Sequence, residues 1–499
     1  MGTAQTTNQV HDLRSALALL ETVPGQLIYT DEPVDPHAEL SGVYRYVGAG
    51  GTVKRPTRLG PAMIFNKVKG FDNVKVLIGL LASRERVALM LGTKPDRLGF
   101  LLNEAVRNPV DPITVPNSQA PCQEVVHRAD EPGFDIRKIL PAPTNTEEDA
   151  GPYITMGLCY ASDPETGVSD ITIHRLCIQS KDELSMYFVP GNRHIEVFRQ
   201  KAEAAGKPLP ITISIGVDPA IEIGACFEPP TTPLGFNELS IAGGIRQRPV
   251  ELVKALTVNE KAIANAEFVI EGELLPNVRV REDQNTNTGK AMPEFPGYTG
   301  PSKPDLPVIK VKAVTHRRNP ILQTVIGPSE EHVNMAGIPT EASIIAMVER
   351  AMPGKLLNVY AHPSGGGKYM AVLQFKKSAP SDEGRQRQAA LLAFSAFSEL
   401  KHVFIVDEDV DPFDSNDVLW ALTTRYQGDV STVFIPGVRC HPLDPSQRPN
   451  FSPSIRDVGI SCKTIFDCTV PYDLKAQFQR AKFKEVDPSK WAPSLFPKK

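Results

Sequence analysis

An arginine inside an apolar, strand-like run is the first candidate for chemistry, because burying a guanidinium is costly unless a carboxylate or phosphate compensates it. Asp170, His174 and Arg175 lie in such a run, among Ile171, Thr172, Ile173, Leu176 and Ile178. The planar fork of Arg175 could grip a substrate carboxylate; the plainer alternative is an edge strand with the arginine in water. Strict alternation puts Arg175 on one face with Ile173, and Asp170, Thr172 and His174 on the other. One ligand can meet both sets only at a twist, a bulge or a strand end. His194 opens a helix after Gly191-Asn192-Arg193. A helix N-terminus favours phosphate, and a neutral imidazole there could bind a metal bridging to it. Glu238, in GFNELSIAGG, could join them. Asp170, His194 and Glu238 together would supply an O,N,O ligand set suited to Mg or Mn, although no local spacing announces it. Glu294 sits in a stretch rich in proline and glycine, 285–298, that reads as an ordered loop around a central acid.

Other motifs have plainer readings. The acidic run 407–414 lacks the glycine and the final glutamate of an EF-hand loop and reads as a strand-to-helix turn capped by Asp414 or Ser415. Gly365-Gly366-Gly367-Lys368 lacks P-loop spacing, and Tyr369 stands where the aliphatic hydroxyl of a serine or threonine should bind Mg. Cys462 and Cys468 are too far apart for a C-x-x-C zinc site.

The elements that must position these residues fall into three regions. Leu13, Ala16, Leu17 and Leu20 recur at helical spacing before Pro24-Gly25 ends the pattern. Residues 108–143, rich in proline, read as a long surface connection. The segments 171–180, 211–217, 267–275 and 307–316 are β-branched and bounded by Gly, Pro or Asn, with a helix at 194–206 between the first two. From 341–352 onward, helices alternate with apolar strands, as in a compact α/β domain. A helical pattern at 472–483 precedes a proline-rich end that could lie on a partner subunit.

At 499 residues the chain exceeds one hydrophobic core, so at least two domains are expected. A net charge of −4 without a dense basic block argues against nucleic acid. No apolar run reaches membrane-span length, and the N-terminus carries no secretory pattern. Seven cysteines without a framework spacing suggest a reduced, cytoplasmic protein.

Beyond this, the chain resembles the UbiD family of prenylated-FMN-dependent decarboxylases along nearly its whole length. The resemblance is carried by SDITIHRLCIQ, RHIEVF, NELSIAGGIRQRPVELVK, AEFVIEGELL, MPEFPGY and FIVDEDVDPFDSNDVLWALTTR. GAGGTVKRPTR, QAPCQE, PAPTNT and GISCKTIFDCTVP are most like AroY-type 3,4-dihydroxybenzoate (protocatechuate) decarboxylases, with gallate decarboxylases close by. The resemblance implies a mixed α+β fold. An N-terminal α/β region (1–125) packs on a split β-barrel flavin-binding domain (126–328). A linker helix (329–352) leads to a C-terminal α/β oligomerisation domain (353–470) and a tail (471–499). It implies prenylated FMN held along Thr172, Ile173, His174, Arg175 and Arg193. It also implies Mn2+ or Mg2+ on Asp170, His194 and Glu238, with K+ or Na+ nearby. Asp170 replaces the family's Asn, which adds a negative charge. Catalysis is implied for Arg175 and Glu294 of a Glu–Arg–Glu trio. The third position, counted five residues before Glu294, is Gly289, so the trio is expected to be incomplete. His332 and His441 are implied at the substrate. The expected reaction is conversion of 3,4-dihydroxybenzoate to catechol and CO2 in a homodimer or homohexamer, with a flavin prenyltransferase supplying the cofactor. The alternatives are gallate or another (hetero)aromatic acid as substrate, or a flavin-binding protein without lyase activity.

Overall fold

The computed structural model describes residues 10–190, 193–447 and 459–496; Gly191 and Asn192, which precede the helix expected from His194, lie outside these. The β-branched runs form a nine-stranded sheet at the centre of the molecule. Its long antiparallel pair is Phe268–Val280 with Leu306–His316, in register at Val269↔Thr315 and Ile270↔Val314. Leu209–Ile215 flanks the first of these and pairs in turn with Leu158–Ser162, which pairs with Ser169–Ile173. Both faces of Leu209–Ile215 are covered, although its sequence alternates isoleucine with the hydroxyl residues Thr212 and Ser214, which are buried as well. Ile211, Ile213 and Ile215 enter one core, while Ser214 on the other face accepts the Ile263 N–H of a three-stranded sheet.

The mixed α+β class expected from sequence is what the structure shows, but the hydrogen-bonded path is open rather than a closed barrel. Its outer strands, Tyr153–Ile154 and Ser169–Ile173, have two and five residues, and no ladder joins them. The expected surface connection at 108–143 is also more ordered than it reads. Within it, Ile113–Thr114 pairs with Glu251–Lys254, and Val125–Arg128 pairs with the end of Leu306–His316.

The first region builds a four-stranded sheet whose last strand, Ile321–Thr324, arrives from far along the chain and ties that region to the central sheet. The helix expected at 341–352 begins eleven residues earlier, at Glu330, and continues to Ala351 through Pro339. Proline normally breaks a helix by removing an N–H and crowding the preceding turn. Here Ile338, Pro339, Thr340 and Glu341 are all buried, so tertiary packing holds the helix across the defect. It leads to a five-stranded sheet, 356–361, 370–375, 402–406, 460–468 and 432–439 in spatial order, with helices Arg385–Ala396 and Ser415–Thr424 as connections. Asp414 caps the second of these, its side chain accepting the Asn416 N–H. The pattern at 472–483 forms only a 3-10 turn, Tyr472–Phe478.

Candidate active site

The strand carrying the first candidates stops at Ile173 and a new one starts at Leu176, leaving His174 and Arg175 in the break. The two pieces pair with different neighbours, Ser169–Ile173 with Leu158–Ser162 and Leu176–Ile178 with Glu183–Met186. The strand end thus lifts the alternation constraint. Thr172, Ile173, His174 and Arg175 all line adjoining cavities of about 460, 180 and 160 Å³, which share lining residues.

At one end, Asp170, His194 and Glu238 bring their ligand atoms within 4.8 Å of one another, the single such group among the described residues. Each comes from a different element. Asp170 lies on the strand, His194 is the first residue of helix His194–Ala204, and Glu238 precedes helix Leu239–Arg246. Ile195 and Phe198, fully buried, seat the first helix on the sheet at roughly 1.5–3 kcal/mol each and so fix its N-terminus. The His194 Nδ1 lies 2.9 Å from Asp170 Oδ1. Glu238 Oε2 is buried without a hydrogen-bond partner, and burial together with the Asp170 carboxylate pushes its pKa up to about 9. Two adjacent buried carboxylates, one with an orphan oxygen, beside an imidazole fit a hard divalent cation, which would satisfy all three.

At the other end, Arg175 is held between two carboxylates. Its Nε and Nη2 donate to Glu282 Oε1 and Oε2, each at 3.0 Å, and its Nη1 donates to Glu294. The expectation of a single acid partner is therefore overturned. Gly289 lies in the connection between Val280 and Lys290, where its N–H donates to Asp283, and the second acid comes from Glu282 at the start of that connection. Burial alone would lower the Arg175 pKa; Glu294 and Glu282 outweigh it and raise it. Glu294, in the turn between Lys290–Pro293 and Thr299–Pro301, has its pKa raised by burial, with Arg175 opposing and Glu282 reinforcing. The guanidinium carbon also lies 4.1 Å from the centroid of the Tyr187 ring.

The long helix and the C-terminal domain close the cavity. The His332 ring is parallel to that of Phe295 at 5.4 Å, and His441 meets Phe295 edge-on at 4.8 Å. Burial, then the nearby Lys368 charge, lowers His332 to about 3 and His441 well below its ordinary value, so both are neutral imidazoles. His441 Nδ1 accepts the Leu443 N–H, placing its proton on Nε2, whereas His332 Nδ1 is buried without a partner. His174 is likewise lowered, to about 3, by burial and then by Arg193. Its Nδ1 donates to the Tyr187 carbonyl, leaving Nε2 as a bare acceptor.

Lys368 is a residue that sequence reasoning passed over. It donates to Glu228 at 3.3 Å and Glu399 at 2.9 Å, while Arg193 pairs with Glu228 at 2.9 Å. These ion pairs join Arg193 and Glu228 to Lys368 and Glu399 of the C-terminal region across the cavity. The only sequence signal was the glycine triplet before it. A Cβ at Gly366 would stand 2.4 Å from the Phe295 ring, and one at Gly367 2.5 Å from the Val333 carbonyl, so this turn must approach both closely.

Three family models cover the chain. They describe the N-terminal, Rift-related and C-terminal domains of 3-octaprenyl-4-hydroxybenzoate carboxy-lyase, at residues 18–106, 113–330 and 333–468. The chain belongs to the UbiD family of carboxy-lyases. It is 59% identical over 479 residues to the gallate decarboxylase of Lactiplantibacillus plantarum, covering 96% of this chain and 98% of that protein. It is 66% identical to a 3,4-dihydroxybenzoic acid decarboxylase of Enterobacter cloacae solved in the apo state, with a TM-score of 0.94 over 98% of this chain and 100% of the other. An evolved dimeric form of the UbiD-class enzyme HmfF from Pelotomaculum thermopropionicum, solved with prFMN, is 34% identical, with a TM-score of 0.82 over 96% of this chain and 100% of the other.

Proposed function

We propose that this protein is an aromatic acid decarboxylase converting 3,4-dihydroxybenzoate to catechol and CO2 with prenylated FMN. The observation that carries the reading is Arg175, clasped by Glu282 and Glu294, at one end of a cavity whose other end gathers Asp170, His194 and Glu238. Losing CO2 from an aromatic acid leaves an electron pair on a ring carbon, and a modified flavin, when bound, would supply an electron sink for it. Asp170, His194 and Glu238 would hold Mn2+ or Mg2+, with K+ or Na+ as a companion cation. Thr172, Ile173, His174 and Arg193 would hold the cofactor.

The remaining steps belong to this chain's own side chains. Arg175 binds and orients the carboxylate. The bond between the ring and the carboxyl carbon breaks, CO2 leaves, and Glu294 delivers a proton to the ring carbon, to be reprotonated from water. Glu294 suits this because its raised pKa keeps a carboxyl proton available at higher pH than is usual. His332 and His441, neutral and set face-on and edge-on to Phe295 respectively, engage the ring hydroxyls, with Lys368 adding positive charge beside them. The second carboxylate on Arg175 removes the argument for a flavin-binding protein without lyase activity, which rested on Gly289. Gallate is the second reading, favoured by the 59% identity to a gallate decarboxylase.

A flavin prenyltransferase is required as cofactor supplier, and assembly as a homodimer or homohexamer would cover the exposed Phe434, Phe483, Trp491 and Leu495. The test is turnover of cofactor-loaded protein on protocatechuate, gallate, 4-hydroxybenzoate and cinnamate. Preference for protocatechuate is expected, and activity confined to cinnamate would overturn the reading.

A further inference from the structure

Tyr153 is fully buried on the short strand Tyr153–Ile154, and its hydroxyl donates to Glu282 Oε1 at 3.0 Å. The same oxygen accepts Arg175 Nε at 3.0 Å. The other, Oε2, accepts Arg175 Nη2 at 3.0 Å and the Lys303 backbone N–H at 3.1 Å. Each oxygen of Glu282 therefore has two donors, and its plane is set from three directions. Burial raises the Tyr153 phenol far above its ordinary pKa, so this hydroxyl is a permanent donor. Its strand pairs with Leu176–Ile178 at Tyr153↔Cys177 and Ile154↔Leu176, the strand that begins directly after Arg175. The hydroxyl and the guanidinium are thus tied by backbone as well as by the shared carboxylate.

We propose that Tyr153 is a positioning residue for decarboxylation: by fixing Glu282 it sets the plane in which Arg175 presents its guanidinium to the substrate carboxylate. The inference rests on the reading of Arg175 as the carboxylate grip. A tyrosine that only filled the core would affect every ligand of the cavity alike, whereas one acting through Arg175 affects only ligands bearing a carboxylate.

The experiment is calorimetric titration of full-length protein, produced without a flavin prenyltransferase, with 3,4-dihydroxybenzoate and separately with catechol. Wild type is expected to prefer the acid. Tyr153→Phe is expected to bind the acid about five- to twentyfold more weakly, at or below the low end of the loss of a direct hydrogen bond to a charged group because the effect is relayed through Arg175, with catechol affinity changed by less than about twofold. Glu282→Gln should show the same selective loss and stands in if Tyr153→Phe does not fold. Adding Tyr153→Phe to it should weaken acid binding by less than about a further twofold, because the two act through one contact. Equal losses for acid and catechol, no loss for either, or full additivity in the double variant would overturn the inference while leaving the Arg175 reading intact. A wild-type protein showing no preference for the acid would overturn both.

Discussion

Glu294→Gln separates proton delivery from every other role of the site. Arg175 keeps its two-pronged pairing with Glu282 when the Glu294 charge is removed, so the guanidinium stays in place and substrate binding should change little. Glutamine matches glutamate in shape but has no acidic proton to give. Losing a positioned general acid costs about 10²–10⁴-fold in rate, or about 3–5 kcal/mol of barrier, and that loss should fall on kcat rather than KM. The pH dependence has a definite sign. Burial raises the Glu294 pKa, so its acid form persists above the usual carboxyl range and the rate should decline as pH rises through that value. The variant should lose this alkaline limb. CO2 release by cofactor-loaded protein across pH gives both quantities. A variant within about threefold of wild type, with the alkaline limb intact, would contradict the assignment.

Three further outcomes follow from the same geometry. Glu238→Gln or His194→Ala removes one ligand of the cluster and should reduce the Mn2+ retained after dialysis, as measured by elemental analysis, with near-stoichiometric retention counting against the site. His332→Ala and His441→Ala should each raise KM for 3,4-dihydroxybenzoate by about ten- to a hundredfold, consistent with one lost hydrogen bond to a buried ligand group, while leaving the inhibition constant of unsubstituted benzoate little changed. Glu330, whose pKa burial lifts to about 7, favours the folded state while protonated and loses up to roughly 3 kcal/mol as pH rises from the ordinary carboxyl range through 7. Glu330→Gln should therefore raise the melting temperature at pH 8 and leave it nearly unchanged at pH 5.

The parts of the fold that could be read from sequence are those where local pattern and burial agree. Leu13, Ala16, Leu17 and Leu20 are the buried face of helix Leu13–Glu21, and the β-branched segments near 211–217, 267–275 and 307–316 are strands of the central sheet. What could not be read depended on contacts distant in sequence. Pro339 hides a continuous helix because the packing that carries the helix past it comes from other elements. The cluster of Asp170, His194 and Glu238 spans three elements; residue type made its members possible ligands, and the resemblance alone assigned them to one site. Counting back from Glu294 failed because residues 281–289 form a connection of their own, so the acid that meets Arg175 is farther away in sequence than the spacing rule allows. Lys368 was passed over because a lone lysine after glycines has no periodic signature; its partners Glu228 and Glu399 come from distant parts of the chain.

The central claim is a pocket in which Asp170, His194 and Glu238 would hold a divalent cation, and the residues between them and Arg175 a prenylated flavin. Its most direct measurement is the mass and visible spectrum of the cofactor, with the metal content, of protein purified after co-expression with a flavin prenyltransferase. The account predicts a flavin heavier than FMN by the prenyl addition, bound together with Mn2+ or Mg2+. Protein that emerges with neither flavin nor divalent metal would contradict it.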